Sequence, residues 1–545
     1  MRPLLLLALL AAGARAQAPD PVVAPDSLRP AVLAADARPG TDDVLPPDTL
    51  AERAVPQEVP PQLTFIGYSF TRATTSNVAP TNDVLQGQVI GRLFGPNSTR
   101  TGTGTANYIE QRFVPLFVYR PRVLDGLATF RGLFKMDYTW GDQAYGVGGN
   151  RGGGLNAGQV NLQTLMANVE VRPSRRANVV VGLQRIFDGA RDPNVTPLDQ
   201  FFQSGYKLAF WGTQGVGIST YLTPTPATRA RVGYYPLWEN LIARDDDASL
   251  FMLDAEHLVT PRLEVGADAW YLRDRSRGAG GVSILGQGVN SALASYNGAT
   301  QFGLPQDHTS DLVWLGTRAS YDHGFALGGR WWADAFVLAN LGRIRPANLP
   351  DVSVAGLSTN ARVAYRYGRT AGDHAAVEAL HTTGDANGAA DSRVSSVVTG
   401  NAYGSPVGIY TSGRALLLFP DEQVVNRYYS AVHDVGHMGY GVTGLFATVS
   451  RDLIPNRFTA KLGAATAFTS VAPAGGGRLV GTEINAELRY HLGVFLTLGL
   501  NAGYLATGSF YDAPAAVYEA PGTPAFDTRP ANPWVVFTTL SWLMF

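Results

Sequence analysis

The sequence predicts an all-β fold: a transmembrane antiparallel β-barrel of about 18 strands, within a range of roughly 16 to 20, preceded by a disordered N-terminal segment. Three observations carry this. From residue 63 onward, segments of about eight to fourteen residues alternate apolar with polar side chains, the period of two that a strand with unlike faces requires. Past the first dozen residues no apolar run approaches the roughly 20 residues of a spanning helix, so membrane helices are excluded. The connections fall into short turns and long loops that alternate over much of the chain, as a barrel with two unlike rims requires.

Composition agrees. Of 545 residues, 45% are apolar and 16% charged, with 61 Gly, 23 Tyr and 24 Phe, a mixture too polar for a helical membrane bundle. A large barrel spreads its apolar residues over every second position. The absence of cysteine excludes disulfides, thiolate metal sites and cysteine nucleophiles. A net charge of −1 argues against nucleic acid. The positive charge is nearly all arginine, since only Lys135, Lys207 and Lys461 are lysines. A GC-rich genome explains that bias; so does the fit of planar guanidinium groups to carboxylates.

Residues 1–16 hold one Arg, a short Leu/Ala run and Ala14-Arg15-Ala16, the pattern of a secretory signal peptide. Residues 17–62, rich in Pro, Ala, Asp and Val without periodicity, are expected to be disordered or extended. The barrel is assigned to 63–545. Its strand segments are 63–72, 111–119, 127–140, 160–171, 177–187, 206–222, 229–235, 250–258, 262–273, 312–321, 326–338, 361–367, 377–382, 440–450, 457–468, 482–491, 494–505 and 534–545. Short turns are expected at 173–176, 223–226, 260–261, 323–324, 455–456 and 492–493, and long loops at 141–158, 188–205, 276–310, 384–426 and 509–533. The loops 276–310 and 384–426 are long enough to fold inward and constrict a lumen.

The chain closes on Ser541-Trp542-Leu543-Met544-Phe545. A bare apolar edge invites aggregation unless the last strand pairs with the first. This aromatic-rich strand with a terminal Phe resembles the C-terminal signature of bacterial outer-membrane barrel proteins. The resemblance implies the outer membrane of a Gram-negative-type bacterium, contact with membrane lipid and lipopolysaccharide, and insertion machinery that reads Phe545. Both faces of the strand are apolar, so the sequence leaves open which one meets lipid.

Arginines recur at inward-compatible strand positions: Arg112, Arg131, Arg185, Arg231, Arg318, Arg330, Arg362, Arg366, Arg427 and Arg489. A charge facing lipid at mid-depth costs about 2–4 kcal/mol, so these are expected to face the lumen. Convergent arginines with few acidic neighbours would favour anions. Alternatively each pairs with a carboxylate such as Asp137, Glu170, Glu264, Asp268, Asp334, Glu483 or Glu487. Residues 161–189, with Gly182-Leu183-Gln184-Arg185, then Gly384-Asp385-Ala386-Asn387, Leu418-Phe419-Pro420 and Tyr428-Tyr429, resemble the alginate-export family of outer-membrane proteins. The polar pair Gln184-Arg185 is in shifted order relative to that family. The resemblance implies a channel passing an anionic polysaccharide, an alginate-like polyuronate or its fragments, through an arginine-rich lumen. A general or substrate-selective uptake porin is the alternative, favoured by a charge-balanced constriction; a structural or enzymatic barrel is a further one.

Other signals are weaker. His433 and His437 flank Asp434, but at strand spacing the two histidines stand about 13 Å apart. Asp245-Asp246-Asp247 and the acidic positions of 385–391 lack the closing bidentate Glu of a calcium loop and read as solvated outer loops. The glycines of 146–158 lack phosphate-loop context. No histidine lies in a nucleophile motif, so no enzymatic activity, cofactor or metal is expected.

Overall fold

The computed structural model describes residues 63–80, 89–93, 99–121, 127–141, 161–186, 189–190, 214–239, 242, 244–277, 307–398, 414–421, 423–425, 427–432, 436–437, 439–513 and 530–544. The signal peptide and N-terminal segment expected in 1–62, the glycine run 146–158, His433 and Phe545 lie outside the described residues.

The strands are β1 (Leu63–Pro80), β2 (Val89–Arg92), β3 (Thr99–Tyr119), β4 (Ala128–Thr139), β5 (Asn161–Ser174), β6 (Ala177–Arg185), β7 (Gln214–Thr225), β8 (Thr228–Trp238), β9 (Ala248–Thr260), β10 (Leu263–Asp274), β11 (His308–Tyr321), β12 (Trp331–Pro346), β13 (Val352–Arg366), β14 (His374–Thr382), β15 (Arg393–Val394), β16 (Arg427–Ser430), β17 (Val442–Ile454), β18 (Phe458–Thr469), β19 (Leu479–Gly493), β20 (Leu496–Thr507) and β21 (Trp534–Met544). All but β2, β15 and β16 form an antiparallel wall of 18 strands. β1 closes it by pairing with β3 on one side and β21 on the other, from Gly67↔Met544 to Ser76↔Val535. Each predicted segment falls on one wall strand. The part of 206–222 before Gln214 lies outside the described residues.

Burial alternates with the strand period. On β12, Phe336 and Leu338 point inward at 6% exposure, while Val337 and Leu341 are exposed. The exposed set continues around the wall through Ile218, Phe251, Leu315, Val377, Leu462 and Ile484. So much apolar surface is stable only against hydrocarbon, and it is the lipid-facing belt. The last strand is thereby resolved: Val536, Leu540 and Trp542 face lipid, and Val535 and Phe537 face inward. A closed antiparallel barrel with this belt is a protein of the outer membrane of a Gram-negative-type bacterium.

Short connections gather at the rim where β1 begins and β21 ends, which is therefore the periplasmic rim. Three connections depart from expectation. The turn placed at 492–493 lies at 494–495, because β19 runs on to Gly493. The turn placed at 323–324 occupies 322–330, because the Asp322 carboxylate accepts the Leu327 and Gly329 N–H groups at 2.7 and 2.8 Å and holds a 3-10 turn, His323–Phe325, ahead of β12. On the outer rim, β12 and β13 are joined by residues 347–351 alone. β3 and β13 begin well before their predicted segments. The outer end of β3 is rich in Thr and Gly on both faces, so no apolar face marks it; that of β13 alternates in burial, but with apolar Val352 and Val354 inward and apolar Leu357 outward its two faces are alike in polarity.

The connection 383–441, one of the two loops expected to fold inward, does so over its described residues. Leu417, Phe419 and Val432 are fully buried. The segment doubles back on itself, the Ala431 and Val432 N–H groups donating to the Leu417 and Leu418 carbonyls at 2.8 and 2.9 Å. β16 adds the parallel strand β2. Residues 278–306, the centre of the other loop, lie outside the described residues.

Candidate functional site: a charge-paired lumen narrowed by an inserted segment

The inserted segment is tied to the wall by side chains from widely separated strands. Glu483 of β19 points inward and accepts the Leu416 N–H through Oε1 at 2.7 Å, and the Leu417 and Leu418 N–H groups through Oε2 at 2.9 and 2.6 Å. Asn485 donates to its Oε1 at 3.0 Å. Four donors around two oxygens describe an ionised carboxylate, which can only accept. Three strands along the wall, Arg72 of β1 donates to Asp421 Oδ2 at 2.7 Å and to the Gln423 carbonyl, with its guanidinium 3.7 Å above the Phe537 ring centroid. Arg112 of β3 reaches the Val425 carbonyl at 2.9 Å. Phe419 packs on Phe446 of β17 at 4.7 Å between centroids, close enough that a Cβ on Gly444 would stand 2.6 Å from the Phe419 ring. Arg414 bonds Glu378 of β14 at 3.1 Å. A single inward-facing apolar cluster joins Leu416 to Phe419 with Trp270, Trp314 and Leu338 of the opposite wall. The inserted segment thus narrows the outer half of the barrel interior, and most of the wall's ion pairs lie below it, toward the periplasmic half.

There the arginines meet carboxylates. Arg131 pairs with Glu170, which also binds Arg172. Arg231, fully buried, bonds Asp254 at 2.8 Å through Nε and 2.5 Å through Nη2. Arg318 contacts Glu256 at 2.6 Å and both oxygens of Asp268. Arg489 and Lys461 share Glu487 at 2.5 and 2.9 Å. Arg112 makes a two-pronged contact with Asp137 at 2.8 and 2.9 Å. Arg362 lies 3.9 Å over the Trp332 ring and 4.0 Å from Glu378. Arg366 donates to the Gly328 carbonyl at 2.5 Å, and Arg330 stands exposed ahead of β12 against the Tyr365 hydroxyl. Both belong to the periplasmic mouth and not to mid-lumen. Arg185, half-buried at the end of β6, is within electrostatic reach of Arg112. Gln184 spends its amide on the Gly217 and Val180 carbonyls of the wall. The Arg427 side chain lies outside the described residues.

Of the carboxylates named from sequence, Asp137, Glu170, Asp268 and Glu487 take arginine or lysine partners. Two do otherwise. Glu483 binds backbone N–H groups, and Asp334 binds His323, Ser320 and the Trp332 indole. Sequence reading missed Arg72, Asp254, Glu256, Glu378 and Asp421. Asp254 and Glu256 share the inward parity of Leu250 and Met252 on β9, a signal that would have placed them in the lumen.

On the outer loops, Asp385 accepts the Asn387, Gly388 and Ser395 N–H groups and closes a turn. Burial pushes its carboxyl upward, but these hydrogen bonds outweigh it and hold the group below its ordinary value. Asp246 and Asp247 gather with Glu239, ligand atoms within 4.8 Å of one another, on the surface between β8 and β9.

No family model and no curated protein matches the sequence. Among solved structures the chain is similar to OccK11 (OpdR) of Pseudomonas aeruginosa, at 10% identity over 88% of this chain and 96% of that one, with a TM-score of 0.44. It is similar to OccAB4 of Acinetobacter baumannii at 10% identity over 89% and 99%, TM-score 0.42. A third similar structure is the outer membrane protein OpdK of Pseudomonas aeruginosa, at 10% identity over 88% and 98%, TM-score 0.45.

Proposed function

We propose that the chain is a passive, substrate-selective uptake channel for small polar solutes. The observation that supports this reading is the matching of lumen charges: Arg131 with Glu170, Arg231 with Asp254, Arg318 with Asp268 and Glu256, and Arg489 with Glu487. A polyanion path needs an uncompensated positive field over several residues. Here the field of each of these guanidinium groups is cancelled within a few ångströms, so a passing solute meets both signs in turn and is selected by size and hydrogen bonding. The segment tied to Glu483 and Arg72 sets the size limit. No covalent chemistry is assigned to the protein.

Passage of an alginate-like polyuronate is the second reading. Arg185 and Arg112 within reach of each other favour it, as does the burial in the inserted segment of Leu418 and Phe419, which carry part of the alginate-export resemblance. Proteoliposome swelling with solutes of equal size separates the two. Neutral, zwitterionic and singly charged solutes are expected to enter at rates within a few-fold of one another, with oligouronates excluded. Oligouronate entry faster than that of a neutral oligosaccharide of the same length would replace the first reading by the second.

A further inference from the structure

The outward face of β10 to β13 changes character at its external end. Along β12 the outward positions run Trp331, Ala333, Ala335, Val337, Ala339, Leu341, then Arg343 and Arg345. The two arginine side chains are 60% and 42% exposed. Trp331 to Leu341 covers about ten residue steps, roughly 33 Å of strand; at a tilt of about 40° this is about 25 Å of height, the thickness of the apolar band of outer-membrane barrels. Arg343 therefore stands at the upper edge of the hydrocarbon, at the level of outer-leaflet head groups.

Register extends this position into a row. Arg273 of β10 is opposite Asp311 of β11, Asp311 is opposite Arg343, Arg343 is opposite Ser353 of β13, and Ser353 is opposite Arg393 of β15. With strands about 4.8 Å apart, the row runs roughly 19 Å along the membrane surface. One step further out, Arg275 and Arg345 converge on Asp311 at 3.0 and 2.5 Å, joined by the Tyr271 hydroxyl at 2.7 Å. Arg343 lies 3.4 Å from Asp351, and the Arg393 N–H donates to Asp391 at 3.1 Å. Asp307 completes the acidic residues of this stretch. Asp311 thus holds the Arg275 and Arg345 guanidinium groups next to the row positions Arg273 and Arg343, on a surface that faces lipid. Planar forks held at a head-group interface suit bidentate binding of phosphate oxygens.

We propose that this row binds the phosphorylated sugar head group of an outer-leaflet glycolipid of the lipopolysaccharide type. Phosphate is the group recognised. Its source is the membrane, because the row lies directly above the apolar belt of Leu315, Leu341 and Leu357. The site is independent of the lumen and of what passes through it.

The test uses the full chain, delipidated in detergent and titrated by native mass spectrometry with bisphosphorylated lipid A, with the same lipid A after dephosphorylation, and with inorganic phosphate as competitor. The variant Arg273→Gln/Arg343→Gln/Arg393→Gln is compared with Arg478→Gln, a single arginine elsewhere on the outer rim. Retained heat-modifiable migration of each variant shows that its barrel is folded. The expected result is an affinity loss of about tenfold or more for the phosphorylated lipid in the triple variant alone, and weak binding of the dephosphorylated lipid by all proteins. Wild-type affinity in the folded triple variant overturns the proposal. So does equal binding of the two lipids, which would assign the surface to acyl chains, or displacement by millimolar inorganic phosphate, which would assign it to a soluble anion.

Discussion

Replacing Glu483 releases the inserted segment from the wall without touching the lipid face. In the parent protein its carboxylate accepts three consecutive buried N–H groups, from Leu416, Leu417 and Leu418, at 2.6 to 2.9 Å. A buried donor left without an acceptor costs about 1–3 kcal/mol. Glu483→Ala strands all three, a local loss of several kcal/mol. Glu483→Gln can keep one oxygen toward Leu417 and Leu418, but its amide then faces the Leu416 N–H and the Asn485 amide, donor against donor. Its cost is that of about one unmatched donor, roughly a 5- to 150-fold shift in the equilibrium between seated and released segment. The barrel stays closed in both variants, because the wall ladders are untouched and Arg72, Arg112 and Phe419 still hold the segment. Single-channel recording should show larger or noisier openings, stronger in Ala than in Gln, and external protease should cut within 383–441. Unchanged conductance, noise and protease resistance in Glu483→Ala would refute the view that these hydrogen bonds hold the constriction.

Other expectations follow from the same contacts. Arg72→Met leaves the Asp421 carboxylate buried beside an apolar side chain and should loosen the segment by about 3–5 kcal/mol, with partial recovery in Arg72→Met/Asp421→Asn; protease resistance of the segment reads both, and no difference between single and double variants would contradict the ion pair's role. Phe419→Ala removes a fully buried ring from against Phe446 and should cost about 3–5 kcal/mol in segment stability, seen as faster amide exchange at Leu417 and Val432. Arg318→Met leaves Glu256 and Asp268 without their shared cation, so the reversal potential in a salt gradient should move toward cation selectivity; an unchanged potential would place this pair off the ion path. Asp385 has its carboxyl held below the ordinary value of 3.8, so its contribution to the 384–395 turn is complete above that pH and lost as pH falls through the lowered value. Exchange protection at Gly388 and Ser395 should therefore drop below about pH 4 in the parent, and show no such step in Asp385→Asn.

All the wall strands were legible in the sequence, because each must alternate within a belt of fixed height and the turns between them are marked by Pro, Gly and Asn. The interior was less so. Arg112 and Asp137 stand across a short connection, and both were visible as inward groups. Arg231 and Asp254 are also direct cross-strand partners, yet their strands are joined by residues 239–247, whose length does not set register. Arg131 and Glu170 face each other diagonally across 140–160, with the same difficulty. Glu483 looked like an arginine partner from its parity. Its true partners are backbone N–H groups of a segment more than sixty residues earlier, a contact with no local signature. The outward arginine row was hidden for the same reason: Arg273, Arg343 and Arg393 are brought into one row only once four strand registers are known.

The most direct test of the central claim, that the lumen is an open path of balanced charge, is the reversal potential of single channels of the protein in a planar bilayer under a potassium chloride gradient, with oligouronate then added to either side. Balanced charge predicts measurable conductance, a reversal potential near zero and no block by oligouronate. A strong anion-selective potential with block by oligouronate would contradict it in favour of an arginine-lined polyuronate path, and absence of conductance would contradict the channel itself.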